Sequence, residues 1–166
     1  MRLLIVEDYR FIRRLMRDLL ALTPGAEVVA EASSGEEAVA LARELRPDIV
    51  LMDLSLEGMN GMAATEIIRR ELPGVRVLIV SRHVEAEYLV AAVRAGASGY
   101  LSKSAMVTEL IPALAALERG ETYFSPSIPR EQVEYGAHRP AENGDTRKNA
   151  LLPPPDSFLP GRRSQS

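Results

Sequence analysis

Five short apolar, β-favouring runs recur along the chain, at Leu3 to Val6, Val28 to Ala30, Ile49 to Met52, Val77 to Val80 and, more weakly, Gly99 to Leu101. Segments with helical spacing separate them. Their apolar stripes read Phe11, Leu15, Leu19 and Leu22, then Ala38, Leu41, Ala42 and Leu45, then Ala64, Ile67, Ile68 and Leu72. Tyr88, Leu89, Ala92 and Val93 form the fourth stripe, and Met106, Leu110, Leu114 and Leu117 the fifth. A strand followed by a helix, repeated with short connections, implies parallel strands, because each crossover helix returns the chain to the same end of the sheet. Strands apolar on both faces are those buried between two helical layers. The pattern predicts a doubly wound α/β fold over residues 1–119, with a five-stranded parallel sheet of flavodoxin-like order 2-1-3-4-5. Ser34 and Glu37 are spaced as a capping box for the second helix. Pro112 falls inside the fifth stripe, where loss of its amide and crowding of the Thr108 carbonyl predict a kink.

Beyond Gly120 the periodicity stops. Seven of the 11 prolines lie in residues 120–166, including Pro153-Pro154-Pro155, and apolar residues are sparse. Such a segment cannot bury enough apolar area to offset its ordering entropy, so residues 120–166 read as a disordered tail. At 166 residues the chain holds one ordinary domain. No apolar run approaches the length of a membrane span, and the apolar start Met1 to Val6 is cut short by Glu7 and Asp8 with no small-residue cleavage site after it. The absence of cysteine excludes disulfides and thiolate metal sites and, with no export signal read, points to the cytoplasm. A net charge of −3 does not suit an electrostatic nucleic-acid binder.

In sheets of this kind, functional residues gather at the carboxyl ends of the strands. Glu7 and Asp8 follow the first strand directly and Asp53 follows the third. Carboxylates clustered at one rim repel one another unless a hard cation sits among them, and Mg²⁺ suits few carboxylates plus water and phosphate oxygens. Ser81 follows the fourth strand and Lys103 follows the fifth. An ammonium and a hydroxyl there can each donate to a phosphoryl oxygen, so the set suits phosphoryl transfer to Asp53 as nucleophile, giving an acyl phosphate. Lys103 is one of only two lysines among 20 basic residues, which suggests that a compact point charge is wanted there. Taken singly, Glu7-Asp8 could be a solvated strand end, Asp53 a turn residue, Ser81 a loop serine and Tyr100 half-buried packing. Their joint order at successive strand ends favours the functional reading. His83, two residues past Ser81, reads as a solvated loop histidine, with a bearing on acyl phosphate hydrolysis as the alternative.

The set Glu7-Asp8, Asp53, Ser81 and Lys103 resembles the receiver domains of two-component response regulators. Residues 52–61 and 95–103 resemble the NarL-type branch in particular. The resemblance covers about residues 1–125 and implies a signalling domain rather than an enzyme, with at most slow self-dephosphorylation. It assigns Asp53 as phospho-acceptor, Glu7, Asp8 and Asp53 with the Ser55 backbone carbonyl as Mg²⁺ ligands, Ser81 and Tyr100 as switch residues, and Lys103 as the partner of the phosphoryl group. A histidine kinase or phosphotransfer protein would be the donor. The face of the fourth helix, fifth strand and fifth helix would bind partners, a second copy included.

Three departures stand out. Glu57 replaces the proline usual four residues after the acceptor, Pro112 bears on the fifth helix, and no helix-turn-helix output domain is recognisable. Ile128-Pro129-Arg130-Glu131 resembles the start of one, but the proline-broken segment after it offers no recognition helix, which leaves DNA binding doubtful. The alternatives are a truncated NarL-type transcription regulator and a Mg²⁺-dependent phosphohydrolase; against the latter, Ser55 stands where a second acid would be needed. All of this requires Glu7, Asp8, Asp53 and Lys103 to share one pocket and Asp53 to be reachable from solvent.

Overall fold

The computed structural model describes residues 1–128. In chain order the elements are β1 (Arg2–Val6), α1 (Arg10–Ala21), β2 (Glu27–Ala32), α2 (Gly35–Leu45), β3 (Ile49–Met52), α3 (Gly61–Glu71), β4 (Arg76–Ser81) and α4 (Ala86–Arg94). Then come β5 (Gly99–Ser102), a 3₁₀ turn at Lys103–Ala105, α5 (Met106–Glu118) and β6 (Tyr123–Phe124). The sheet order is β2-β1-β3-β4-β5-β6 and every pairing is parallel.

Alternation along the strands divides the apolar residues between two cores. Leu4, Val6, Val50, Met52, Val77 and Ile79 face one side with buried residues of α2, α3 and α4. Leu3, Ile5, Ile49, Leu51, Leu78, Val80 and Leu101 face the other, against α1 and α5. Each fully buried Leu, Ile or Val contributes about 1.5–3 kcal/mol of transfer free energy, so this double layer carries the stability of the fold.

Four local features differ from the sequence expectation. The sheet has a sixth strand, and the fold does not end at residue 119: β6 pairs with β5, while Ser125 and Ile128 are buried. β6 is two residues long and carries no periodicity of its own, which is why the pattern did not reveal it. The remainder of the expected tail, 129–166, lies outside the described residues. In α1 the buried stripe is offset from the one expected. Met16 and Leu20 are buried and Ile12, Leu15 and Leu19 pack beside them, whereas Phe11 and Leu22 are 66% and 76% exposed. Ile12, Met16 and Leu20 form a stripe one position along from the expected one, and because that stripe meets the sheet, Phe11 sits on the outer side of the helix's first turn.

At α2, the Ser34 hydroxyl accepts from the Glu37 amide at 3.2 Å, but the Glu37 carboxylate returns to the Ser33 amide at 2.9 Å rather than to Ser34. Finally, Pro112 does not interrupt α5. Both Pro112 and Thr108 lie on the exposed side, so the carbonyl that loses its intrahelical donor stays open to solvent.

Gly61 shows how tightly the region around Asp53 is packed. A Cβ on Gly61 would stand 1.9 Å from the Asp53 carbonyl oxygen, while one on Gly74 meets nothing within 4 Å. We expect Gly61→Ala to lower unfolding free energy by about 3 kcal/mol, as overpacking against backbone does. Gly74→Ala should change it by less than about 1 kcal/mol in the same urea titration.

Candidate functional site

The parallel register builds the site. Val6 pairs with Met52, and the Asp53 amide donates to the Val6 carbonyl at 2.9 Å, so Glu7 and Asp53 leave adjacent strands at the same height. Ser81 pairs with Ser102 at the ends of β4 and β5, which places Lys103 one residue further on the same rim. Strands are about 4.8 Å apart, so an ammonium from β5 must cross roughly 10 Å to reach the end of β3. The long lysine side chain does so.

The Lys103 Nζ lies 2.6 Å from Glu7 Oε2 and 3.2 Å from Asp53 Oδ1. All three side chains are withdrawn from water, at 10% exposure for Lys103, 1% for Glu7 and 3% for Asp53. Glu7 Oε1 accepts the Tyr9 amide at 3.0 Å, but Oε2 has no directed hydrogen bond, so the ammonium is its charge partner. Exposed Asp8 completes the cluster. One carboxylate oxygen each from Glu7, Asp8 and Asp53 lie within 4.8 Å of one another. Burial raises the proton affinity of Glu7, the charge of Asp53 raises it further, and Lys103 opposes both.

Ser81 is fully buried, and its hydroxyl accepts the His83 amide at 3.1 Å. The buried Tyr100 hydroxyl donates to the His83 carbonyl at 2.7 Å. Burial drives the Tyr100 phenol well above its usual range, so it remains a neutral donor at all working pH values. These two bonds hold the loop between β4 and α4 to the ends of β4 and β5. His83 is not the solvated residue expected. Its side chain is 27% exposed, its ring stacks on Tyr88 at 4.2 Å between centroids, and Nε2 lies 3.4 Å from the Ser55 hydroxyl. An aromatic five residues on, at the start of an expected helix, was the only sequence signal of that stack.

Thus the structure brings Glu7, Asp8, Asp53 and Lys103 into one pocket, sets Ser81 and Tyr100 at the neighbouring strand ends, and places Ser55 against His83. Against the expectation that Asp53 is reachable from solvent, its side chain is 3% exposed, and the solvent-facing member of the cluster is Asp8. A surface cleft lined by Arg10, Phe11, Arg13, Arg14, Arg17 and Glu31 includes none of the pocket residues.

Removing Lys103 would leave two buried carboxylates without their countercharge. We expect Lys103→Ala to lower stability by about 3 kcal/mol at pH 7 in urea unfolding. Because the folded-state pKa of Glu7 is raised above its unfolded value of 4.5, the folded form gains a proton as pH falls toward that value. The deficit of Lys103→Ala should therefore shrink between pH 7 and pH 5.

Comparison with known proteins agrees with this geometry. Residues 3–115 match the response regulator receiver domain family. The chain is 37% identical over 142 residues to the response regulator GacA of Pseudomonas viridiflava, a match covering 86% of this chain and 66% of that protein. It is 35% identical over 127 residues to the response regulator protein VraR of Staphylococcus aureus, covering 76% and 61%. The chain thus spans about two thirds or less of the length of these relatives. Among solved structures, a LuxR-family two-component response regulator from Aurantimonas sp. SI85-9A1 superposes with a TM-score of 0.75 at 40% identity, covering 81% of this chain and 95% of that one. The residues described here therefore form a response regulator receiver domain of two-component signalling, and the chain belongs to that family.

Proposed function

We propose that Asp53 accepts a phosphoryl group from a histidine kinase or phosphotransfer protein, and that the modified site then alters a protein-binding face. The observation that carries this reading is the Lys103 ammonium held against both Glu7 and Asp53, with Asp8 completing an acidic triad. The donor set is all oxygen and partly buried, which suits a small hard dication. Asp8 and Asp53, with Glu7 and the Ser55 carbonyl, would hold Mg²⁺, which supplies the positive charge that lets an anionic phosphoryl group approach an anionic acceptor.

The remaining steps belong to the chain. An Asp53 carboxylate oxygen bonds to phosphorus as the phosphorus–nitrogen bond of the donor histidine breaks, and the histidine takes up a proton. Lys103 turns its ammonium to the new phosphoryl oxygens, and the Ser81 hydroxyl donates to another. Ser81 then no longer holds the His83 amide, and with that loop released the Tyr100 hydroxyl loses its tether at the His83 carbonyl. That sequence links charge at Asp53 to the face of α4, β5 and α5, where Val84, Val107 and Ile111 are exposed at 45%, 65% and 41%. Exposed apolar residues of this kind support a docking role for the face, toward a second copy or another protein. Asp53 is almost covered, so entry of the donor requires local opening around it. Slow hydrolysis of the acyl phosphate resets the domain. No described helix is long and apolar enough to cross a membrane.

Incubation with acetyl phosphate and Mg²⁺ followed by intact-mass analysis should show a gain of about 80 Da, one phosphoryl group. Asp53→Asn should show none, and chelation of the cation should abolish the gain in the wild type. A wild-type chain that stays unmodified under these conditions, or an Asp53→Asn variant that gains the same mass, overturns the reading.

A further inference from the structure

Lys103 sits in a 3₁₀ turn, a short element with poor hydrogen-bond geometry of its own. Both ends of that turn are held by one residue from outside it. On the strand side, the Ser102 amide donates to the Ser125 hydroxyl at 3.0 Å. On the helix side, the Ser125 hydroxyl donates to the carboxylate of Glu109, in the first turn of α5. The Ser125 amide in turn donates to the Tyr100 carbonyl at 2.9 Å, extending the pairing of β6 with β5. Ser125 is 1% exposed, and Ile128 is locked into the core by a 2.9 Å bond to the Ser125 carbonyl. The arrangement demands that β6 come close: a Cβ on Gly99 would stand 2.6 Å from the Tyr123 carbonyl oxygen.

The Ser125 hydroxyl is therefore the middle of a relay, amide to hydroxyl to carboxylate, in which each bond polarises the next. Losing the hydroxyl orphans a buried amide and frees the turn that carries Lys103. Ser125 also lies outside residues 3–115, the segment matched to the receiver family. We propose that Ser125 is a positioning residue for Lys103, acting by holding the strand side and the helix side of the turn that carries it. The positioning role does not rest on the reading of Asp53 as phospho-acceptor; its effect on the rate of modification does.

The chain has two lysines, so lysine-selective ¹³C labelling of the full chain gives two Cε–Hε signal sets, with Lys148→Arg identifying the other. Ser125→Ala should move the Lys103 signals and leave those of Lys148 in place, and Ser125→Thr should return them toward wild type. Glu109→Ala, a change at a half-buried helix position, breaks the same relay and should move the same signals if Ser125→Ala fails to fold. With acetyl phosphate and Mg²⁺, Ser125→Ala should slow modification about tenfold, as loss of a supporting contact does. It should add nothing to the defect of Lys103→Ala, because a residue that acts through another is silent once the other is gone. Unmoved Lys103 signals in folded Ser125→Ala or Glu109→Ala, or rate effects that add in the double variant, overturn the proposal. Should the wild type take up no phosphoryl group, the Asp53 reading falls, and the lysine spectrum still decides whether Ser125 positions Lys103.

Discussion

One ammonium shared between two buried carboxylates is the interaction on which this domain turns. Lys103 is one ammonium facing both Glu7 and Asp53, and Asp8 adds a third carboxylate at the mouth, so carboxylates outnumber the ammonium in the pocket. Buried ion pairs of this kind are weak devices for stability, since desolvation offsets most of their attraction. Their value lies in responsiveness. A site that is underneutralised has a strong affinity for any added positive charge, and its ammonium is ready to follow new negative charge placed on either neighbour.

The sheet makes that interaction possible by register alone. Parallel ladders bring Val6, Met52, Ser81 and Ser102 to one rim, and the next residue of each strand, or the strand end itself, supplies the chemistry. The apolar layers on both faces fix the ladder, because a one-residue slip of any strand would exchange its two faces. Tight packing at Gly61 then places the start of α3 directly against the Asp53 backbone, so Asp53 is set by the packed part of the molecule.

Much of this was legible in the chain itself. Strand runs apolar on both faces announced the doubly wound sheet, and acids, hydroxyl and lysine at successive strand ends announced the pocket, because both follow from local order along the sequence. What stayed hidden depended on contacts between distant segments. Met16 rather than Phe11 lies on the buried side of α1 because two apolar stripes of the same period run side by side in the sequence, and packing against the sheet selects the one through Ile12, Met16 and Leu20. β6 has two residues and no pattern, and only the bare surface of Gly99 admits it. The stacking of His83 on Tyr88 and the bracket of Ser102, Ser125 and Glu109 join residues whose types are ordinary for loops. Nothing in their spacing distinguishes them from solvated polar groups until the tertiary fold brings them together.

The short β6 has a further effect on the molecule as a colloid. Sheet margins with unpaired amides and carbonyls recruit strands from other chains, and natural proteins shorten or charge them to prevent it. Here β5, the apolar Gly99–Ser102 segment, is shielded along its flank by a strand of only two residues, too brief to template a newcomer. At the opposite margin β2 carries exposed Glu27, and Glu31 held by Arg13 at 3.1 Å and Arg17 at 3.2 Å, charged side chains that break up a flat apolar edge. Both flanks of the sheet are thereby kept from fibre-like growth, leaving helix faces as the surfaces through which the domain can associate with order.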